Sequence, residues 1–297
     1  MSARRADWSA AGRAAPWLFL APALLFGLCF LVGPLLFALY VSTTDWDGIG
    51  TAHATGLANY LYLFTADPFF VQSVVNTFAF AAGSLALGVP LALAVAALVA
   101  RSRHQGLWRT LFWLPMVTNI VAVAYIWRFI LGDTSGLLNR ALAVLGLPGP
   151  DWLTTPTLAM PSVILVAAWL TLGHNVLLFL AGLNEIDPVY YEAAELDGAD
   201  PLRQFWYVTL PLLRPTIVFV GVTSLITALS SFALMLVLTE GGPARSTTVA
   251  GLYLYDMAFT DLRLGRASAA AWVLAAIILG FSLLQLRLLR RGGLEAR

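Results

Sequence analysis

Acidic and small residues lie close together between residues 187 and 201, where their spacing could form a binding surface. Asp187 precedes Pro188, and Asp200 precedes Pro201. An Asp-Pro pair favours a helix start, because the carboxylate caps free backbone amides and Pro needs no amide partner in the first turn. Gly198 can end the first helix in the left-handed conformation. The stretch predicts two short helices meeting at an angle, the second of which runs until Pro211 interrupts it.

The exposed face of this helix pair suits a protein partner. Ala193 and Ala194 give the first helix a slim surface, and Glu192, Glu195 and Asp197 surround that surface with negative charge. A helix lying on an anionic membrane would be basic instead. We therefore expect the pair to insert into a groove of another protein.

A second set of candidates consists of uncharged polar side chains inside long apolar runs, where they could hold a hydroxylated solute by hydrogen bonds. The set is Asn119, Tyr125, Thr171, His174, Asn175, Ser230 and Ser231. The spacing of Thr171, His174 and Asn175 places them on one helical face. Hydrogen bonding between membrane helices is the alternative role for every member. For His174, a structural role or a contact with another subunit is favoured over solute contact.

The residue types exclude several kinds of chemistry. All 17 basic residues are arginine, so the chain has no lysine for a phosphate-binding P-loop, a Schiff base or a Ser-Lys dyad. The three histidines are too scattered for a zinc motif, and a single cysteine cannot form an internal disulfide. We predict that the chain is no enzyme and holds no cofactor or metal itself.

Two other classes of membrane protein are disfavoured by what the apolar runs lack. A proton- or sodium-coupled secondary transporter is expected to hold a carboxylate within a span, and these runs contain no Asp or Glu. A membrane-embedded hydrolase or glycosyltransferase would need paired carboxylates, a Ser-His-Asp set or a metal site there. The apolar runs supply none of these.

The elements that position both candidate sites are predicted to be transmembrane helices. The chain has 297 residues, of which 60% are hydrophobic and 11% charged, whereas soluble domains carry about 25% charged residues. Its mean hydropathy is +0.81. Long charge-poor runs predict an all-α membrane bundle, residues 16–291, with six spans. These spans are residues 16–43, 72–99, 108–131, 158–182, 213–238 and 268–287.

The arginines predict the orientation of this bundle. Twelve of the 17 fall at the two termini, between spans two and three, or between spans four and five. The opposite side holds Arg128, Arg140, Arg245, Arg263 and Arg266. Because cytoplasmic loops are enriched in Lys and Arg, residues 1–15 and 292–297 are predicted to be cytoplasmic tails. The segment 187–215 is then cytoplasmic as well.

The helix pair carries a family resemblance. Glu192-Ala193-Ala194, followed by Asp197-Gly198-Ala199, Phe205, Leu210-Pro211 and Pro215, resembles the EAA motif of ABC importer permeases. Further similarity extends along nearly the whole chain, at Leu20-Ala21-Pro22, Ser42-Thr43-Thr44-Asp45-Trp46, Asn59-Tyr60, Asn76-Thr77, Leu114-Pro115 and Leu238-Thr239-Glu240-Gly241-Gly242-Pro243. These residues are similar to the carbohydrate-uptake branch, which includes the glycerol-3-phosphate, trehalose and maltose permease subunits.

The resemblance implies a permease subunit of an importer in a bacterial inner membrane. Its implied partners are a second homologous permease, two ATPase subunits, an extracytoplasmic solute-binding protein, membrane lipid and a sugar or polyol, with no nucleic acid. ATP and magnesium are then bound by the ATPases, and the segment 187–215 is the coupling helix region. The residues carried over for coupling are Glu192, Ala193, Ala194, Asp197, Gly198, Ala199, Leu210 and Pro211.

The resemblance also places solute-contacting helices at spans three, four and five. Disaccharides, oligosaccharides, amino sugars and glycerophosphate compounds all remain open as the solute.

Overall fold

The structure of the protein is a computed structural model, which describes residues 11–133 and 136–291. This part of the chain is built from helices and contains no strand beyond one isolated bridge between Thr44 and Ala54. The α-helices are α1 (Ala11–Gly27), α2 (Gly33–Ser42), α3 (Ala58–Thr65), α4 (Pro68–Ala100), α5 (Gln105–Val117), α6 (Ile120–Ile130), α7 (Leu137–Val144), α8 (Pro156–Asn184), α9 (Pro188–Leu196), α10 (Pro201–Gln204), α11 (Leu210–Leu212), α12 (Arg214–Leu229), α13 (Ala233–Leu238), α14 (Ala250–Tyr255) and α15 (Leu264–Arg291). Short π-helical segments occupy Leu28–Val32, Phe205–Thr209 and Asp256–Thr260.

Among the residues that the structure describes, four helices are long and apolar enough to cross a membrane, and two bent pairs would raise the number to six. The four are Pro16–Ser42, Pro68–Ala100, Pro156–Asn184 and Leu264–Gln285. They coincide with the first, second, fourth and sixth predicted spans. The bent pairs are Gln105–Val117 with Ile120–Ile130, and Pro201–Leu212 with Arg214–Leu229.

The third predicted span, 108–131, differs from the continuous helix that its composition suggests. It consists of α5 and α6, which meet at an angle of 95°. Thr118 and Asn119 have extended backbone between them, and the Asn119 side-chain oxygen accepts a hydrogen bond from the Val121 amide at 2.8 Å. An Asn in extended conformation caps a new helix, which explains why α6 restarts in a new direction.

The fifth predicted span, 213–238, is also interrupted, because α12 ends at Leu229 and α13 begins at Ala233. The backbone of Phe232 leaves the helical region, with φ −147°. Its ring stacks on Tyr255 at a centroid distance of 5.7 Å and packs against Gly251. Tertiary packing therefore accompanies this break. The sequence did not predict it, because no Pro or Gly lies there.

The centre of the bundle is formed by α4 and α8, with α12 packed against both. Close approach depends on small residues, since Gly88 of α4 faces Ala168 of α8. On another side α5 crosses α8 at Gly173, where an added Cβ would overlap the Phe112 carbonyl. Helix α8 is therefore held between neighbours on several sides, and it is a rigid support for side chains along its length.

Large apolar side chains cover the outside of the bundle. Trp17, Leu18 and Phe19 of α1 are 67%, 74% and 83% exposed. Soluble proteins rarely display contiguous apolar surfaces of this kind. The apolar outer surface of these helices suits contact with lipid hydrocarbon. The buried core lies between α4, α8, α12 and α13.

Candidate functional site: the coupling segment and the polar cavity

The coupling segment, residues 187–212, begins with α9. The Asp187 carboxylate accepts a hydrogen bond from the Val189 amide at 3.0 Å, and Pro188 is the first residue of the helix. Gly198 has φ +76°, a left-handed conformation that glycine adopts without strain. Its amide donates to the Glu195 carbonyl at 3.0 Å, which helps to close the helix end. The predicted cap and glycine turn are both present.

A second helical stretch follows at once. The Asp200 carboxylate accepts from the Arg203 amide at 2.7 Å, and the buried Gln204 side chain donates to the Ala199 carbonyl at 3.2 Å. The Tyr191 hydroxyl lies 3.0 Å from Thr209 Oγ1, and this hydrogen bond ties α9 to the stretch that follows. Gln204, Tyr191 and Thr209 therefore fix the relative orientation of the two helices, which the sequence did not indicate.

Pro211 does not interrupt this second stretch, contrary to the prediction. The π-helical segment Phe205–Thr209 leads into α11, and Pro211 lies in the first turn of that short helix. A missing N–H is tolerated there, so helical backbone continues to Leu212. The change of direction comes at Leu213, where the axis turns by 67° into α12.

The surface of the coupling segment is acidic and includes an exposed apolar side chain. Glu192, Glu195 and Asp197 are exposed, and Leu196 between them is 90% exposed. Among the predicted coupling residues, the exposed ones are Glu192, Ala193, Asp197, Gly198 and Pro211, and the partly buried ones are Ala194, Ala199 and Leu210. A leucine held almost fully in the open beside carboxylates is suited to a protein partner that buries it.

The polar cavity lies inside the bundle, where α4, α8, α12, the break that follows α12, α13 and the first residue of α6 meet. Its volume is about 110 Å³, and it is partly open to the surroundings. Phe80, Ile120 and Leu170 contribute apolar wall. The polar side chains that line it are Ser84, Thr171, Asn175, Ser224, Thr227 and Ser231.

Three of the seven predicted solute-path residues, Thr171, Asn175 and Ser231, are among those that line the cavity. Asn119, Tyr125, His174 and Ser230 are not. The side chain of Asn119 is engaged in capping α6, and Tyr125 is 60% exposed on the same helix.

Thr171 and Asn175, one helical turn apart on α8, reach the cavity. His174 was predicted to lie on the same face, but its side chain is exposed. Ser230 is exposed at the point where α12 ends.

Three cavity residues were missed. Ser224 and Thr227 precede Ser231 at spacings that place all three on one helical face, so this signal was available in the sequence. Ser84 lies on α4, which had not been considered as part of the path. Its contribution depends on how α4 packs against α8.

The hydrogen bonds of the cavity residues are few. Ser224 Oγ lies 3.4 Å from Asn175 Oδ1. Thr171 donates to the Ala167 carbonyl at 3.0 Å, and Thr227 donates to the carbonyl one turn earlier at 2.9 Å. Ser84 Oγ is buried without a partner among the described residues. The cavity thus retains hydrogen-bonding capacity that the bundle itself does not use.

On the side opposite the coupling segment, an ion pair joins two of the interrupted spans. Arg128 of α6 donates at 3.0 Å to Glu240 and, also at 3.0 Å, to the Val237 carbonyl of α13. Asp67 caps α4 there and accepts from the Tyr253 hydroxyl at 2.6 Å. Burial, together with the neighbouring carboxylate, raises the pKa of Tyr253.

Within the described residues no group of His, Cys, Asp and Glu could hold a metal ion.

Comparison with known proteins decides the class. The family described as binding-protein-dependent transport system inner membrane component matches residues 88–291, which include the coupling segment and most of the cavity. The chain belongs to this family. It is a transport component and not an enzyme, and it is a multi-pass protein of the inner membrane. The resemblance drawn from the EAA motif is confirmed.

Curated relatives cover nearly the whole permease. A probable ABC transporter permease protein, YesP of Bacillus subtilis, is 36% identical over 269 residues, which are 89% of this chain and 86% of the relative. The lactose transport system permease protein LacF of Rhizobium radiobacter is 33% identical over 276 residues, 91% of this chain and 92% of the relative.

Two solved structures of a bacterial alginate ABC transporter have the same fold as the permease. Each superposes with a TM-score of 0.83 at 26% identity over 96% of this chain, covering 97% and 98% of the respective chains. One of them is in complex with an alginate pentasaccharide-bound periplasmic protein. The other is of a transporter involved in the import of the acidic polysaccharide alginate.

Proposed function

We propose that this permease forms, with a second homologous permease, the translocation path for a sugar, an oligosaccharide or a glycerophosphate-type solute. An extracytoplasmic binding protein delivers the solute, and two ATPase subunits drive its passage. One observation carries the proposal. The same chain holds an exposed, acidic helix pair, whose orientation is fixed by internal hydrogen bonds, and a polar cavity between membrane helices. One serves coupling and the other serves passage.

The solute class is supported by relatives and by the cavity. The relatives include a lactose permease and an alginate transporter, both of which are carbohydrate transport proteins. Hydroxyl and amide side chains line the cavity beside the ring of Phe80. Such a combination suits a hydroxylated solute, since hydroxyl groups need hydrogen bonds and the C–H face of a sugar ring needs an apolar wall.

The topology that this function requires is six spans with both termini in the cytoplasm. It is supported by the four long helices, by the bent pair Gln105–Val117 and Ile120–Ile130 taken as the third span, and by α12 of the second pair as part of the fifth span. The arginines that flank the connections between spans two and three and between spans four and five support it as well. In this arrangement residues 187–215 lie in the cytoplasm, where the ATPases are. Residues 1–15 and 292–297 are the cytoplasmic tails.

ATP and magnesium belong to the partner ATPases in this proposal. The absence of lysine from the sequence supports that division, because a P-loop uses a Lys to reach the nucleotide phosphates. The candidate docking residues remain Glu192, Ala193, Ala194, Asp197, Gly198, Ala199, Leu210 and Pro211. Of these, Glu192 is exposed and charged, and it is our choice of anchor.

Reconstitution tests the function. We expect ATP-driven uptake into liposomes only when this permease, its second permease, the ATPases and the binding protein are all present. The purified permease alone should neither bind nor hydrolyse ATP. Robust hydrolysis by this chain alone, or uptake that does not depend on the ATPases, would contradict the proposal.

Cysteine labelling tests the topology. Cys29 is the only cysteine, so a Cys29→Ser background can carry single reporters. Glu195→Cys should be protected from a membrane-impermeant maleimide in intact cells and react after lysis. Ala244→Cys, which is exposed on the predicted outer side, should react in intact cells. The reverse pattern would show that the coupling segment faces away from the ATPases.

A further inference from the structure

The polar cavity carries no formal charge. Thirteen residues line it within the described part of the chain, and none of them is Asp, Glu, Arg or His. A charged solute entering it would lose hydration and meet no opposite charge from this chain, which is strongly unfavourable. Pores that pass anions display Arg or Lys, and pores that pass cations display Asp or Glu. The lining of this cavity therefore contains no group that would compensate the charge of an ion.

The cavity also offers both donors and acceptors. Thr171 and Thr227 give their hydroxyl protons to carbonyls of their own helices, so their oxygens can accept a further hydrogen bond. The Asn175 side-chain oxygen is approached by Ser224 at 3.4 Å, while its amide nitrogen makes no hydrogen bond among the described residues and can donate. Ser84 has an unpaired hydroxyl, which can do either.

A mixed set of this kind matches neutral hydroxyl groups better than ions. Each sugar hydroxyl donates one hydrogen bond and accepts others, so it can pair with Thr227 as a donor and with Asn175 as an acceptor. A phosphate or an ionised carboxylate only accepts, and the oxygens of Thr171 and Thr227 would face its negative charge without a proton between them. A protonated amine has the opposite difficulty, because no carboxylate lines the cavity.

We propose that the cavity admits neutral polyhydroxylated solutes and excludes ions. Neutral disaccharides and oligosaccharides are its solutes, whereas glycerophosphates, uronates and protonated amino sugars are not. This inference rests on the proposed function, because it assumes that the solute passes through this cavity. It separates the permease from the structurally similar alginate transporter, whose substrate is acidic.

The test uses the complete importer in liposomes with its binding protein. Lactose and raffinose are the neutral probes, glycerol 3-phosphate and galacturonate the anionic probes, and glucosamine the cationic probe. The affinity of the binding protein for each probe is measured separately, so that delivery is distinguished from passage. We expect ATP-driven uptake of a neutral probe to exceed that of every charged probe by about tenfold or more, which corresponds to about 1.4 kcal/mol.

A matched pair of variants assigns this selectivity to the cavity. Thr227→Val removes a hydroxyl that lines it. Thr223→Val removes the hydroxyl one turn earlier, which bonds to the Phe219 carbonyl at 2.9 Å in the same way but does not line the cavity. We expect Thr227→Val to lower neutral uptake about two- to tenfold, the value of one hydrogen bond, and Thr223→Val to leave it unchanged.

Each other outcome has a distinct meaning. Charged uptake that equals or exceeds neutral uptake overturns the charge selectivity. Equal effects of Thr227→Val and Thr223→Val remove the cavity from the path. In both cases ATP-driven import stands, so only the inference fails. ATP-independent uptake, or no uptake of any probe, contradicts the proposed function and the inference together.

Discussion

The coupling segment and the polar cavity are built in opposite ways. The coupling segment is one continuous piece of chain, 187–212, whose geometry is set by contacts within the segment: two Asp caps, a left-handed glycine and the Tyr191–Thr209 hydrogen bond. The cavity is assembled from α4, α6, α8 and the α12–α13 region, which are far apart in sequence. Local rules therefore decide the first region, and packing of the whole bundle decides the second.

The difference predicts how each region fails. A change in the coupling segment alters one angle on an exposed surface, so the membrane bundle remains intact while its mechanical connection is lost. On the proposed function, a change in the cavity removes a group to which a passing solute would bond, so we expect docking to remain intact while passage slows. Variants in the two regions should consequently separate assembly with the ATPases from uptake.

The largest effect is expected at Gly198. An added Cβ meets nothing within 4 Å, so the cost of Gly198→Val comes from the backbone and not from a clash. A non-glycine residue at φ +76° is destabilised by about 1–2 kcal/mol, and a β-branched one is especially disfavoured. We expect loss of the angle between α9 and α10, and a fall in ATP-driven uptake of about tenfold or more, measured in liposomes.

Gly198→Asn is the matched control for that prediction. Asn tolerates the left-handed conformation far better than Val, so most uptake should remain. Equal loss in Gly198→Asn and Gly198→Val would mean that the backbone conformation is not what matters. Wild-type uptake in Gly198→Val would mean that the segment is an ordinary cytoplasmic connection.

A smaller effect is expected in the cavity. Asn175→Leu and Ser231→Leu each replace a polar lining group with a bulky apolar one, so we expect uptake to fall about two- to tenfold through lost hydrogen bonds. Assembly with the ATPases and the affinity of the binding protein should not change. Ser230→Leu is the control, because Ser230 is exposed and does not line the cavity.

If uptake were unchanged in Asn175→Leu and in Ser231→Leu, the solute path would not run along α8 and α12. If Ser230→Leu reduced uptake as strongly as Ser231→Leu, the effect would come from disturbing the break after α12 and not from the cavity lining.

The smallest effect is expected at the first cap of the coupling segment. Asp187→Ala removes the acceptor of the Val189 amide, and loss of such a cap typically costs about 1 kcal/mol. Because Gly198 and the Tyr191–Thr209 bond still hold the other end, we expect uptake to fall by about a factor of two or less. Faster amide hydrogen exchange in the first turn of α9 would report the lost cap directly, and an exchange rate equal to wild type would contradict its role.

The local devices of the coupling segment were predictable from the sequence. Asp187, Pro188 and Gly198 act within a few residues of themselves, so their types and spacing determine what they do. The long helices were predictable for a similar reason, since a long apolar run has few alternatives in a membrane. The effect of Pro211 was not predictable in this way. It depends on the π-helical segment Phe205–Thr209, which places Pro211 in the first turn of α11, where a proline does not break the helix.

The cavity could be predicted only in part. Thr171, Asn175 and Ser231 were found because they are polar residues in apolar runs, but His174 has the same character and is exposed. Which polar residues face the cavity is set by helix rotation and by the breaks at Asn119 and Phe232. The second break is accompanied by tertiary packing of Phe232 on Tyr255. Ser84 illustrates the limit, because only the packing of α4 on α8 brings it to the site.

The central claim is that the coupling segment docks on the ATPase, and co-purification tests it most directly. Glu192→Lys reverses a charge on the exposed acidic surface, and Glu240→Lys makes the same change at a residue that pairs with Arg128 on the opposite side. With a tagged ATPase as bait, we predict that Glu192→Lys is retained several-fold less than wild type while Glu240→Lys is retained normally. Full retention of Glu192→Lys, or equal loss of both variants, would contradict the account.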